Sequence, residues 1–411
     1  MDSEQLNETE TDCDVLIIGG GLVGASLACA LENSRHSVRI VEAFPLKSDL
    51  QPSYDDRTVA LSWGSRCILE GMQVWDAMAG QVEAIKTIHI SDRGHFGATR
   101  LRHEEERVEA LGYVAENRVL GEVLYRRLQQ SSNAGIHCPA RLIDIEQKQD
   151  RVVATISEND SKRVLRARLL VAADGVVSQV RDLLHIGSSV QDYGQSAVIA
   201  NVTPAQKHHN IAYERFTDEG PIAFLPMTQN RCSVVWTVPT SRADELMRLE
   251  DAFFLQQLQQ RFGFRLGRLL KTGQRQAYPL KLIESTQVVR QRVVIVGNAA
   301  HTIHPVAGQG FNLALRDIAM LTELISTAED AGDSALLQAY TEQREDDARR
   351  VYRFTDSLVK IFSNGSSPLG HLRAAGLVAV GLVPPLRHHL ARQSMGLDGR
   401  ASELGRRSLN G

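Results

Sequence analysis

The sequence predicts an α/β fold: a Rossmann-type nucleotide-binding domain, an antiparallel-sheet domain, and helices at the C-terminal end. Three observations predict it. Residues 14–18 (DVLII) read as a short buried strand, and Gly19-Gly20-Gly21-Leu22-Val23-Gly24 follows at once. Residues 191–238 change to short strand-like segments (SAVIANV, IAYERF, IAFLPM, CSVVWTV) separated by turns, the pattern of an antiparallel sheet with one packed face and one free for a ligand. Residues 293–317 (VVIVGNAAHTIHPVAGQGFNLALRD) join an apolar strand, a polar loop, Gly308-Gln309-Gly310 and a helical pattern over 312–326. A strand, a loop closing on Gly-x-Gly and a helix start together make a site for an anion or polar ligand, because backbone N–H groups point outward there.

The N-terminal stretch carries G-x-G-x-x-G on Gly19, Gly21 and Gly24, a helical pattern to about residue 33, and a second strand over 38–41 that ends at Glu42. The first glycine permits the tight turn, the second admits a pyrophosphate against the backbone, and the third packs helix on strand. Glu42 stands where a carboxylate accepts both ribose hydroxyls of a dinucleotide. Strand, spacing, helix, second strand and terminal acid agree with one another.

Further candidates lie between these ends. Arg57, in the polar loop before a helix over 63–72, either contacts phosphate or points into solvent. Arg118 opens an amphipathic helix over 117–130, where its charge opposes the helix dipole; a bound anion would explain it, and a solvated first-turn arginine is the plain alternative. Asp174-Gly175 closes a buried strand over 169–172, a position where ligands bind in open α/β sheets and where an acid also serves as an N-cap.

Composition excludes several classes. The chain has 411 residues, enough for two domains, with 43% hydrophobic residues and a net charge of −3, which offers no electrostatic case for nucleic acid. Five cysteines without a CxxC fit a reducing compartment, and the acidic start MDSEQLNETETD reads as neither a secretory signal nor a transit peptide. No metal site is expected: His301 and His304 are three apart, but Pro305 makes them loop residues, and His208-His209 read as solvated. A long charged helix is expected over 334–362. The apolar segment 369–390 beside a basic tail either packs on the body or touches a membrane surface.

At this point three separated segments, GGGLVG with Glu42, Ala173-Asp174-Gly175 and residues 297–317, occur in the order of a known family. The chain resembles the class A flavoprotein aromatic hydroxylases, the group with the p-hydroxybenzoate hydroxylase fold, over about residues 13–391. Within it, DDRTVALSWGS, ENRVLGEVLYRRL and Tyr278-Pro279-Leu280 resemble the ubiquinone-biosynthesis branch. The likeness is greatest to the hydroxylases of 2-polyprenyl-6-methoxyphenol, which also carry Asn where the family usually has Asp, here Asn298.

The resemblance implies an FAD-dependent monooxygenase that uses NAD(P)H as a transient co-substrate and O₂ to hydroxylate a lipophilic phenol. Gly19, Gly21, Gly24 and Glu42 are implied at the ADP end of FAD, and Arg57 and Arg118 at phosphate or ribityl. Asp174, Gly175, Asn298, Gly308, Gln309, Gly310 and Asn312 are implied along ribityl and flavin, with His304 and Pro305 on the flavin's substrate side. Asn298 keeps an acceptor oxygen but lacks the charge of Asp, so weaker FAD binding is expected than with Asp.

The implied domains are 1–85, 113–184 and 285–335 for FAD, 86–112 and 185–284 for substrate, and 336–411 as a C-terminal helical segment. A cytoplasmic location is expected, with peripheral contact at the inner membrane and with other ubiquinone-biosynthesis proteins left open. Another ring position, or an FAD oxidase or reductase without oxygen insertion, are the alternatives.

Overall fold

A computed structural model describes residues 11–45, 57–95, 97–302, 308–362, 367–398 and 402–409. His304 and Pro305 lie outside the described residues. Apolar runs flanked by glycine build the first sheet. Strands Ala134–His137, Val38–Val41, Cys13–Ile18, the end of Ser161–Ala172, and Val293–Ile295 lie side by side in that order and run parallel. Val289–Arg290 adds an antiparallel edge, and Ala140–Gln147 and Val152–Glu158 extend the long strand as an antiparallel ribbon. One face is covered by the helices Leu22–Ala30, Asn117–Gln130 and Gln309–Thr327, whose buried residues form one core with Val15, Ile17, Val171 and Val294. Strands buried on both faces read as unbroken hydrophobic runs, which is why residues 14–18 and 293–296 were conspicuous.

The second sheet has nine strands. Alternation along its strands separates two faces. Val198, Phe224, Val234 and Trp236 point to a core closed by Phe254 and Phe262 from the helix Asp251–Phe262. There the Phe224 and Phe262 rings stack with centroids 3.9 Å apart. Ile199, Ala223, Leu225 and Val235 occupy the other face and line a cavity. The sheet is not wholly antiparallel: Thr87–Asp92 runs parallel to Ile211–Phe216. No hairpin joins these two strands, because the chain between them returns through the first sheet, so turn geometry does not set their direction. A three-stranded sheet of Thr58–Ser62, Gly112–Glu116 and Glu83–Ile85 bridges the two.

The C-terminal helices are Ser334–Phe362, Ser367–Leu382, Pro384–Ser394 and Glu403–Leu409. Ser367–Leu382 packs on the second sheet, and its Gly376, Leu377 and Val380 reach the cavity, so the apolar segment does pack on the body. His208 is a correction to the solvated reading: it is buried, with Nε2 3.0 Å from the Met227 carbonyl and Nδ1 accepting from the Asn210 amide at 3.1 Å. A turn that presents both groups to one imidazole has no sequence signature.

Behind the late loop lies a buried charge cluster. Arg344 Nε donates to Asp317 at 3.3 Å and Nη2 donates to His301 Nδ1 at 2.5 Å, while Arg316 pairs with Asp347 at 2.8 Å. Burial, then Arg344 and Arg316, hold His301 well below its ordinary pKa, so it is neutral at pH 7. Removing one partner of a buried pair strands the other charge. Arg344→Met is therefore expected to lower unfolding stability by about 3–5 kcal/mol, read from urea melts. A melt identical to that of the parent chain would show that this cluster is solvated.

Candidate functional site: a split glycine cradle opening onto an apolar cavity

The parallel strands end level with one another. Ile18 pairs with both Val41 and Ala172, and Ala172 pairs with Ile295. The residues that follow, Gly19, Glu42, Ala173-Asp174 and Val296-Gly297, therefore emerge together at the carboxyl edge of the sheet, where open α/β sheets bind ligands.

Glycine lets these loops meet. Gly19 has φ +102°, and a Cβ there would lie 2.5 Å from the Ala173 carbonyl oxygen. A Cβ on Gly24 would lie 1.9 Å from the Gly19 carbonyl oxygen, so this position admits no side chain. Gly297, at φ +60°, sits where a Cβ would meet Val23 Cγ2 at 2.9 Å. The late loop thus rests directly on the first turn of the helix Leu22–Ala30. That helix has no side-chain cap at Gly21, and Gly21, Leu22 and Val23 line the cavity, so its first N–H groups are available to an anion.

Glu42 is buried and fixed by two amides: Gly20 N–H donates to Oε2 at 2.5 Å and Phe44 N–H to Oε1 at 2.8 Å. Each carboxylate oxygen keeps a second lone pair for a ligand hydroxyl. Asp174 accepts from the Val180 amide through Oδ2 at 3.0 Å, while its Oδ1 is buried with no hydrogen-bond partner. Burial raises its carboxyl above the ordinary value, against the lowering pull of the Ser178 hydroxyl and the Val180 amide. Ser178, not Asp174, is the N-cap of the following short helix. Asn298 is exposed and lines the cavity, as does Gly175.

Arg57 also reaches the cavity, its guanidinium 5.3 Å over the Tyr278 ring and donating to the Tyr278 hydroxyl at 3.2 Å. Arg118 is not brought to the cavity wall. It pairs with Glu116 at 3.1 Å and Glu122 at 3.5 Å, and these carboxylates account for a cation in the first helical turn.

Gly308 takes the left-handed conformation, φ +62°, and starts the helix Gln309–Thr327 without a side-chain cap. Gly310 and Phe311 open onto the cavity and Gln309 is buried. Asn312 also borders the cavity, but its amide serves the protein: Oδ1 accepts from Ser62 N–H at 2.9 Å, and Nδ2 donates to the Ala60 and Gly308 carbonyls at 2.8 and 2.7 Å. It staples the helix start to the strand Thr58–Ser62.

The cavity these residues share has a volume of about 960 Å³ and mostly apolar walls. It runs from the glycine loops to the free face of the nine-stranded sheet and is covered by Ser367–Leu382. The sequence pattern of the family described as "FAD binding domain" matches residues 12–355. The chain is 37% identical over 388 residues to ubiquinone hydroxylase UbiL of Rhodospirillum rubrum, covering 93% of this chain and 89% of that one.

The chain belongs to this family of FAD-binding hydroxylases.

Other relatives agree. The 3-demethoxyubiquinol 3-hydroxylase of Escherichia coli is 31% identical over 407 residues, 95% of this chain and 100% of that one. The human mitochondrial ubiquinone biosynthesis monooxygenase COQ6 is 28% identical, over 93% of this chain and 92% of its own. The fold is that of p-nitrophenol 4-monooxygenase PnpA from Pseudomonas putida, with TM-score 0.79 and 18% identity over 95% of this chain and 99% of that one. The residues present fit the cofactor of this FAD-dependent monooxygenase family. Two uncapped helix starts suit its phosphates and flavin, and Glu42 and the unpartnered Asp174 oxygen suit its hydroxyls.

Two outcomes check this geometry. Asn298→Asp should tighten FAD binding about fivefold, since a charged acceptor adds about 1 kcal/mol to a hydroxyl hydrogen bond; reconstitution titrations of the apoprotein measure it, and weaker binding would place Asn298 off the cofactor. Asn312→Ala should cost about 3 kcal/mol, because it leaves a buried N–H and two carbonyls short of partners, as read from thermal melts with and without FAD.

Proposed function

We propose that this hydroxylase inserts one atom of O₂ into the ring of a polyprenylated phenol on the route to ubiquinone, with 2-polyprenyl-6-methoxyphenol as the substrate and NAD(P)H as the electron source. One observation carries the reading: a single cavity joins the glycine cradle to an apolar sheet face, so a bound flavin and a greasy aromatic ring would meet without water between them. Residues 1–85, 113–184 and 285–335 are assigned to FAD, 86–112 and 185–284 to substrate, and 336–411 to a C-terminal helical segment that includes the cover.

FAD, when bound, supplies the redox and oxygen chemistry. The chain's own contribution is to bind and exclude. Gly19, Gly21, Gly24 and Glu42 seat the ADP end. Arg57, Gly175 and Asn298 line the middle, and Asp174 lies between the lining residues Ala173 and Gly175. Gly308, Gln309, Gly310 and Asn312 shape the helix start, whose N–H groups favour negative charge on the ring system beside them. The apolar sheet face and the Leu377 and Val380 side chains shield the ring from water.

The relative from Escherichia coli, whose name is 3-demethoxyubiquinol 3-hydroxylase, favours a second reading in which this chain hydroxylates another ring position of the ubiquinone precursor. Among the described residues no helix is long and apolar enough to cross a membrane. Leu382, Val383 and Leu386 are exposed beside the cavity cover, and we assign them to peripheral contact with the membrane that holds the substrate.

With ¹⁸O₂, NAD(P)H and 2-prenyl-6-methoxyphenol, the purified holoenzyme should release a product with one labelled ring oxygen. NAD(P)H oxidation that leaves the ring unlabelled would establish an oxidase instead. Product position, with the quinone precursor accumulated by a deletion strain, separates the two ring positions.

A further inference from the structure

Glu214 is the single carboxylate among the described residues that line the cavity. It lies on the strand Ile211–Phe216, in a cross-strand row that reads Ile90, Glu214, Ala223, Val235, Ile199. All five residues line the cavity, and the other four are aliphatic. Its carboxylate forms no hydrogen bond or ion pair with a described residue. A carboxylate on an apolar wall without a partner costs folding energy that any aliphatic residue would spare. The wall therefore holds this group for something that enters the cavity.

We propose that Glu214 receives the phenolic hydroxyl of the substrate, accepting its hydrogen bond and then its proton as the ring is oxygenated. The proposal rests on the phenol reading above. In that step the O–H bond breaks, the proton bonds to a Glu214 carboxylate oxygen, and the electron pair stays on the phenolate oxygen. Nothing is oxidised or reduced, and the single negative charge moves from Glu214 to the ring oxygen, where it raises electron density at the ortho and para carbons. The same contact orients the ring: its oxygen faces the strand Ile211–Phe216, and its tail is left to the aliphatic walls.

The surroundings suit a reversible proton acceptor. Burial alone pushes the Glu214 carboxyl up to about 7, so near neutral pH it can both take and return a proton. Arg57 and Tyr213 are the other titratable groups among the described lining residues. On the parallel neighbour Thr87–Asp92, His89 packs edge-on against Tyr213 and is held down to about 4 by burial and by Arg265, Arg100 and Arg215, so it stays neutral through the working range. Asp92 pairs with His95 at 3.3 Å. The antiparallel neighbour Ile222–Met227 carries no titratable side chain. Arg215, next in sequence, donates to the Phe262 carbonyl at 2.9 Å, on the helix-covered side.

The test compares the FAD-loaded parent enzyme with Glu214→Gln and Glu214→Asp, using 2-prenyl-6-methoxyphenol and following kcat/KM from about pH 5.5 to 9. Because the acceptor must be ionised, parent activity should rise as pH increases through about 7. Glu214→Gln should keep its FAD, lose that rising limb and fall about 10²–10⁴-fold. Glu214→Asp should keep the limb with a smaller loss, and it decides the matter if the Gln variant does not fold. An active parent whose variants show the same rate and the same pH limb would overturn the assignment of Glu214. A parent with no phenol-dependent NAD(P)H oxidation would overturn the phenol reading itself.

Discussion

The structure depends on three close approaches at glycine, two of backbone on backbone and one of backbone on the Val23 side chain. Gly24 lies against the Gly19 carbonyl, Gly19 against the Ala173 carbonyl, and Gly297 against Val23, at distances of 1.9, 2.5 and 2.9 Å from where a Cβ would stand. These contacts join residues separated by up to 274 positions (297 minus 23). They explain why three of the four loops at one sheet edge act as a single cradle, to which the Gly20 amide ties Glu42. Glu42 and the Asn312 staple depend on that closure, because each fixes a loop that the glycines have already brought near.

From the cradle, function follows by continuity. The helix start at Gly308 faces the free side of the second sheet, and the cover from Ser367–Leu382 closes the space between them. A polar end with amide donors and an apolar end are the two environments that a flavin and a lipophilic ring require. Glu214 breaks the apolar pattern at one point. As the single carboxylate among the described lining residues, it gives the cavity an orientation as well as a volume.

Much of the site was legible because its signals are local. G-x-G-x-x-G, the acid at 42, Asp174-Gly175 and the Gly308–Gly310 turn are short motifs whose chemistry follows from backbone geometry. The long helix Ser334–Phe362 was legible as a long charged run. What escaped is set by contacts that no motif announces. The parallel pairing of Thr87–Asp92 with Ile211–Phe216 has no turn to announce it. Arg118 meets Glu116 and Glu122 rather than the cavity, and the Asn312 amide is taken up by Ser62, Ala60 and Gly308. The alternation in IAYERF placed Glu214 on one face with Ala212 and Phe216. Only the neighbouring strands reveal that this face is an aliphatic cavity wall.

The central claim is that the early helix and the late loop form one FAD site through the Gly297–Val23 contact. Gly297→Ala tests it most directly, since the added methyl meets Val23 and the left-handed backbone costs about 1–2 kcal/mol. The account predicts a chain that keeps its circular dichroism spectrum but binds FAD about tenfold or more weakly in reconstitution titrations. A folded Gly297→Ala chain that binds FAD as tightly as the parent would contradict it.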